Sequence, residues 1–480
     1  MTLRRARQLH AEGKLEEALG AYAEAVRLEP RDTEALCDFG MALNDAGRFA
    51  EAVAQFEKAL ELRPDFTDAR YNLGNAFAGL GQIDEAIECY RKVLVRAPHS
   101  ADTHSNLGVV LQERGDLDAA LAAYERALEL HPEHAEALNN LAALLEERGR
   151  RRDAMALYRR ALQADPASAR AAYNLGLAHL REFEFEPGWR YCEARFHTKP
   201  PVTSPRPFRV PEFSGADFGR GQRIAVWREQ GVGDQVLYST LLTELEARAE
   251  RFVAEIDARL IPAYQRAHPG WQLVPPEQSV AAFADCDRHI ALGSLARFLR
   301  PTKASFARQP EALLAADPER AVRYRARLAA DGARVIGISW RSFQSVRGYV
   351  RQKKSAPLAM FMALSRRLRL LDLQYGDTRA ERDAFAAAGG RLERVQELDL
   401  FGDLEGVLAA IAACDAVVTT SNVTAHFAGA LGKPTWLIHP GSDAPFFYWV
   451  PGDDGRCLWY PAVRIVNGDD WESAMARVPV

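Results

Sequence analysis

Across its first 180 residues the chain repeats itself every 34 positions, and no other feature limits its folding as severely. Prolines stand at Pro30, Pro64, Pro98, Pro132 and Pro166, and glycines at Gly13, Gly47, Gly81, Gly115 and Gly149. Alanines follow at Ala18, Ala52, Ala86, Ala120 and Ala154, and aromatic rings at Tyr22, Phe56, Tyr90, Tyr124 and Tyr158. A unit of this size, broken by proline at its edge and glycine at its middle, holds a pair of short helices. One such pair cannot bury its apolar face alone. Stacked copies can, and the expected product is a curved helical solenoid with an extended concave surface.

The period and the internal pattern of "NLGNAFAGLGQIDEAIECYRKVLVRAP" resemble tetratricopeptide repeats, in which small residues such as Gly74 and Ala86 let two antiparallel helices approach closely. One series does not read as packing: Asp38, Asn72, Asn106, Asn140 and Asn174 occupy one equivalent position on the first helix of each pair. In this family that helix lines the concave face. An amide offers both a donor and an acceptor, which suits an extended peptide, so Asn72, Asn106, Asn140 and Asn174 are candidate acceptor-peptide residues. The same amides would also serve to hold the inter-repeat geometry.

After residue 182 the pattern changes. Prolines at 200, 201, 205, 207 and 211 rule out continuous helix, and residues 183–211 read as a linker or strap. Beyond it, "RIAVWRE", "RFVAEID", "WQLVP" and "HIALGS", then "RVIGISW", "RLLDLQY", "DAVVTT" and "PTWLIHP", read as strands, with helices such as "LAMFMALSRRL" and "DLEGVLAAIAA" between them. Such alternation implies parallel, doubly wound sheets. The fold class is therefore α + α/β: a solenoid over 1–182, the strap over 183–211, and two Rossmann-like lobes over 212–330 and 331–480.

Where would chemistry sit? Residues 332–371 carry nine arginines and lysines and no acidic residue, in a chain of 480 residues with a formal net charge of -4. That is a local anion attractor rather than the basic surface of a general nucleic-acid binder. Arg341, Lys353 and Lys354 follow strand "VIGISW" at the edge where doubly wound sheets bind ligands. On the same edge "VVTT" runs into Ser421 and Asn422 and a small-residue helix, whose free N–H groups form an anion site. In the first lobe, Gly231-Val232-Gly233 lacks the third glycine of a dinucleotide fingerprint. Asp234, which follows, is either a helix cap or a carboxylate able to take a proton from an acceptor hydroxyl.

Together these segments resemble bacterial glycosyltransferases of the GT-B fold, specifically the heptosyltransferase-like group fused behind tetratricopeptide repeats, with the plan of O-GlcNAc transferases. The motifs are "EPGWRYCEARF", "EQGVGDQVL", "HIALGSLARFL", "PEALLAADPERAVRYRARLA" leading into "VIGISWRS", and "TAHFAGALGKPTWLIHP", with the ending "LWYPAVRIVNGDDW". The resemblance implies an inverting, metal-independent transfer of a sugar from a nucleotide-sugar donor to a hydroxyl, with Asp234 as general base. It implies that Lys354, Lys353, Arg341, Ser421, Asn422, Val423, Thr424 and His426 meet the donor phosphates, and that Gln374 and Tyr375 lie near the base. Ser421 departs from the family, which usually has an acid there. The competing reading is a non-catalytic adaptor on a degenerate scaffold; an epimerase or hydrolase has no further support.

The expected partners are a nucleotide-sugar and a protein or glycan acceptor reached through the solenoid, with a flagellin-like target as one analogy. No cofactor or metal is assigned: "DCD" at 285–287 precedes a strand, and "GDDG" and "GDDW" read as turns. The aromatic run Phe446, Phe447, Tyr448 and Trp449 could stack on a sugar or pack a returning segment, and His439 borders the expected cleft. Six cysteines without a C-x-x-C pair, no membrane-length apolar run and no signal core lead to the expectation of a reduced, cytoplasmic protein without an integral membrane segment.

Overall fold

The computed structural model describes residues 2–215, 218, 221–229, 231–249, 251–342, 355–441 and 446–479. It divides into two compact units, Met1–Ala171 and Ala172–Val480.

In the first unit helices run from Thr2–Ala11 to Arg151–Ala164 as antiparallel pairs. The repeated glycines are sockets and turns. Gly13, Gly47, Gly81, Gly115 and Gly149 have φ between 72° and 96°, the left-handed conformation that lets each pair reverse. Gly40, Gly74 and Gly108 face the buried rings of Phe56, Tyr90 and Tyr124, and a Cβ there would lie 2.6, 2.7 and 2.5 Å from the ring. Phe56, Tyr90 and Tyr124 thus each fill a slot that only a missing side chain provides, while Ala6 and Ala142 stand at the equivalent positions for Tyr22 and Tyr158. Successive first helices (Thr33–Asp45, Thr67–Leu80, Ala101–Arg114, Ala135–Glu147) approach one another more closely than successive second helices, so they lie on the inside of the curve.

The second unit holds two all-parallel sheets. The first has strands β1 (Arg223–Trp227), β2 (Arg251–Glu255), β3 (Gln272–Val274) and β4 (Arg288–Ala291) in the order β3-β2-β1-β4. The second has β5 (Val335–Ser339), β6 (Arg369–Asp372), β7 (Ala416–Thr419), β8 (Thr435–Pro440) and β9 (Val463–Gly468) in the order β6-β5-β7-β8-β9. All eight expected strand segments form. β9, read only as an ending, is an addition at the sheet edge, where Arg464 is exposed and an alternating pattern replaces the apolar run. "LAMFMALSRRL" is a correction: it forms a 3-10 turn, Leu358–Phe361, and a single helical turn, Met362–Ser365, because Pro357 fixes its start and Arg366 ends it. The expected strap over 183–211 is corrected in its first half, where Phe185–Cys192 is a helix and Glu193–Phe196 a 3-10 turn; residues 199–211 contain no helix or strand, and Arg206 pins that strap to buried Glu255 at 2.6 and 3.0 Å.

In each sheet the strand order reverses direction once, between β1 and β4 in the first and between β5 and β7 in the second. Doubly wound sheets bind ligands beyond the C-terminal ends of their strands at that switch point.

Candidate functional site

At the switch point of the second sheet the side chains that bridge the loops are uncharged, and beneath them the buried Asp372 carboxylate accepts from the Gln374 N–H at 2.9 Å. Gln374, just past β6, is buried, and its Oε1 accepts from the Ser339 hydroxyl at 3.0 Å and from the Trp340 and Arg341 N–H groups at 2.8 Å each. Asn422 Nδ2 donates to Ser339 Oγ at 2.9 Å, and Asn422 Oδ1 accepts from the Thr424 N–H, also at 2.9 Å. A single chain of bonds therefore ties the ends of β6, β5 and β7 to the start of helix Val423–Ala430, which Asn422 caps.

The first sheet closes its switch point with charge. Glu229, just past β1, accepts from Arg195 Nε at 2.7 Å and Nη2 at 2.8 Å, and from the Gly293 N–H beyond β4 at 2.9 Å. Arg195 also donates to Glu193 at 2.7 Å and Ser294 at 2.7 Å. Burial by itself would lower the Arg195 pKa, but Glu229 and Glu193 outweigh it and hold the guanidinium charged.

Residues of both sheets line one small cavity of ≈ 80 Å³: Gly233 and Asp234 from the first turn of helix Val232–Ser239, with Tyr375, Ser421, Asn422 and His426 from the second sheet. The contact is close, for a Cβ on Gly233 would lie 3.0 Å from the His426 ring. Burial pushes the His426 imidazole down to about 3, so near neutral pH the ring is uncharged; its Nδ1 lies 3.1 Å from the Tyr460 hydroxyl. Two further cavities share wall residues with this one. A chamber of ≈ 200 Å³ at the first switch point shares Asp234, Phe446 and Tyr448 with it. An apolar pocket of ≈ 290 Å³, walled by Leu373, Leu400, Leu404 and Phe427, shares Gly233, Tyr375 and Val423.

Asp234, Tyr375, Ser421, Asn422, Val423 and His426 are thus brought together around one space, and Thr424 lines the adjoining apolar pocket. Gln374 is placed otherwise than the resemblance implies: its amide is spent inside the protein, so it positions the 339–341 backbone and offers its oxygen to no base. Arg341 is also engaged, its guanidinium donating to Glu381 at 2.8 Å and to the Asp377 carbonyl at 2.5 Å, and it does not line the ≈ 80 Å³ cavity. Ser421 Oγ accepts from the Trp449 indole at 3.0 Å. Lys353 and Lys354 lie outside the described residues. His439 is buried at the end of β8, with its ring 6.5 Å from that of Trp471. Among the described residues no group of three or more His, Cys, Asp or Glu side chains could hold a metal ion.

On the solenoid the amide series is heterogeneous. Asn106 Nδ2 donates to Tyr71 at 2.8 Å and Asn75 at 3.1 Å in the preceding repeat, Asn72 Nδ2 donates to its own helix at Asp68, and Asn140 Oδ1 accepts from Asn139. Asp38 accepts from Arg7, and Asn174 falls in the second unit. Sequence reasoning singled out neither Glu229 nor Arg195. An acid directly after the first strand, and an arginine within "EPGWRYCEARF", were the signals available.

Two tetratricopeptide repeat models match the chain, over residues 37–101 and 99–167, and the N-terminal region consists of such repeats. Protein FlbA of Caulobacter vibrioides is 29% identical over 314 residues, a match that spans 61% of this chain and 51% of FlbA. The chain therefore spans about half the length of the curated relative it matches. Among solved structures, a thermophilic TPR protein of Thermus thermophilus is 25% identical, with 37% of this chain and 97% of that one covered and a TM-score of 0.34. MamA from Desulfovibrio magneticus RS-1 is likewise 25% identical, with 35% and 94% covered and a TM-score of 0.32. Among the described residues no helix is long and apolar enough to cross a membrane.

Proposed function

We propose that residues 172–480 form a GT-B-type glycosyltransferase module that uses a nucleotide-sugar, and that the repeats present a protein acceptor to it. The observation that carries this reading is the meeting of Asp234, at the first sheet's carboxyl edge, with the capped helix start at 422–424 of the second, around one cavity. In this reading the base enters the ≈ 290 Å³ apolar pocket, with Tyr375 and Val423 at its inner end. The diphosphate lies against the start of helix Val423–Ala430, where the helix dipole stabilises the charge that develops as the sugar–oxygen bond breaks. Neutral His426 adds no charge and would donate or accept a hydrogen bond at the cavity wall. Asp234 takes the proton of the acceptor hydroxyl as that oxygen bonds to the anomeric carbon, giving inversion. The cavity of ≈ 80 Å³ is smaller than the several hundred cubic ångströms a nucleotide-sized ligand fills, so binding requires the lobes to part.

The adaptor reading draws on a specific observation: Ser421 accepts from Trp449, and Asn422 and Gln374 both bond Ser339, so each already has a protein partner. One measurement separates the two readings. A panel of nucleoside diphosphates and monophosphates is scored by thermal shift on the full chain, alongside consumption of the corresponding nucleotide-sugars. Stabilisation by one nucleotide and turnover of its sugar conjugate support the enzyme; absence of any shift across the panel overturns it in favour of the adaptor.

A further inference from the structure

The strap over 199–211 crosses the carboxyl ends of β1 and β2 with little help from its backbone. Its flanks are bonded: the Val202 and Thr203 N–H groups donate to the Arg195 carbonyl at 3.1 and 3.3 Å, and the Phe213 N–H donates to the His289 carbonyl at 2.8 Å. Between them, from 204 to 210, no backbone–backbone hydrogen bond is made among the described residues. Pro205 and Pro207 lack the N–H that a ladder needs, and they bias Ser204 and Arg206 toward extended backbone. Two side chains do the holding instead. Arg206 sets its guanidinium fork on Glu255, the last residue of β2, whose side chain is 0% exposed, and reaches the Arg228 carbonyl just past β1 at 3.4 Å. The same guanidinium lies 5.4 Å from the centre of the Trp227 ring. Phe208 lies 4.5 Å from the His289 ring and 5.8 Å from that of Trp227, against the apolar cluster to which Ala225, Val253 and Phe283 belong.

Proteins grip foreign extended peptides in the same manner: side-chain sockets give specificity, and a segment stiffened by proline loses little entropy on docking. The main socket also survives the departure of its occupant. Glu255 keeps Arg228 Nε at 3.3 Å as a second partner, so its carboxylate is not left alone when Arg206 leaves. A buried carboxylate beside an indole selects a guanidinium over an ammonium, because only the planar fork meets both oxygens. We propose that the carboxyl ends of β1 and β2 form a docking site for an extended segment of a partner protein that carries an arginine and, two residues on, an aromatic ring, and that residues 204–210 fill this site in cis. A tether this short acts at an effective concentration on the order of millimolar, so a free peptide does not displace it. A partner held by a second contact elsewhere on the chain meets the strap with the same advantage. The inference stands apart from the transferase reading and uses none of its site residues.

The probe is a labelled peptide with the sequence of residues 202–211, titrated into the full chain and read by fluorescence anisotropy, with the fold of each variant checked by circular dichroism. Arg206→Ala combined with Phe208→Ala should empty the sockets and bind the peptide at least about tenfold more tightly than the wild type does. The Arg206→Ala form of the peptide should bind that variant about tenfold more weakly. Arg206→Lys keeps a cation opposite Glu255 in case the double variant does not fold, and it should bind the unaltered peptide about threefold more tightly than the wild type, as an ammonium yields to a guanidinium. If no folded variant binds the peptide better than the wild type, or if removing the arginine from the peptide changes nothing, the strap fills no such site and the proposal is wrong.

Discussion

The two sheets of the second unit solve one problem with different chemistry. Each must hold together two loops that diverge at its switch point, and each does so with a side-chain acceptor that bridges the gap. In the first sheet the bridge is a carboxylate, Glu229, joined to Gly293 and charged Arg195. In the second it is an amide, Gln374, joined to Ser339 and through it to Asn422. A charged bridge tolerates a carboxylate such as Asp234 beside it only if cations balance the site, and Arg181 and Arg297 line the ≈ 200 Å³ chamber with Arg195, three cations to the three acids Glu193, Glu229 and Asp234. In the second sheet the capped helix start at 422–424 stands beside an uncharged bridge. In the reading proposed above, proton handling falls to the first lobe and the phosphates to the second.

That division can be attacked at several points. In the proposed reading Asp234→Asn should lower transfer roughly 10²- to 10⁴-fold; transfer at the wild-type rate would remove the carboxylate from the chemistry. Glu229→Gln leaves Arg195 buried with one carboxylate fewer and should cost about 3–5 kcal/mol in urea unfolding of the full chain. Gln374→Ala strands only neutral donors and should cost less, roughly 1–3 kcal/mol. Equal losses in these two variants would erase the contrast between a charged and a neutral bridge.

A pH series sharpens the same point. The unfolded state protonates His426 near pH 6.5, whereas burial delays protonation in the folded state to about 3. Between those values the unfolded state binds more protons, so stability falls on acidification, by about 1.4 kcal/mol per pH unit for this group. His426→Gln should flatten the melting temperature against pH by that contribution; an identical slope would mean that His426 is protonated in the folded protein. The smallest effect is expected in the solenoid, where Asn106→Ala removes two inter-repeat bonds and should cost about 1 kcal/mol by chemical unfolding.

How much of this could be read from the chain alone depended on distance along it. The 34-residue beat is local and redundant, and so it fixed the helix pairs and the glycine sockets without ambiguity. Buried strands announced themselves as β-branched runs; β9, with exposed Arg464 between buried residues, did not. The motifs at Asp234 and 421–426 were legible because cap chemistry is local. What their polar neighbours do was not. Gln374 and Arg341 look the same in sequence whether they face a ligand or a partner, and the partners that settle the matter, Ser339 for Gln374 and Glu381 for Arg341, lie some 35 to 40 residues away. The Arg195–Glu229 bridge joins segments 34 residues apart with no spacing rule to betray it.

The match between each ring and its own glycine slot also bears on how such an array changes over generations. Because Phe56 seats against Gly40, Tyr90 against Gly74 and Tyr124 against Gly108, these three pillars find their sockets within their own helical hairpins. Duplication or loss of 34 codons leaves all remaining pairs intact, so natural selection can lengthen or trim the receptor in whole steps without redesigning a core.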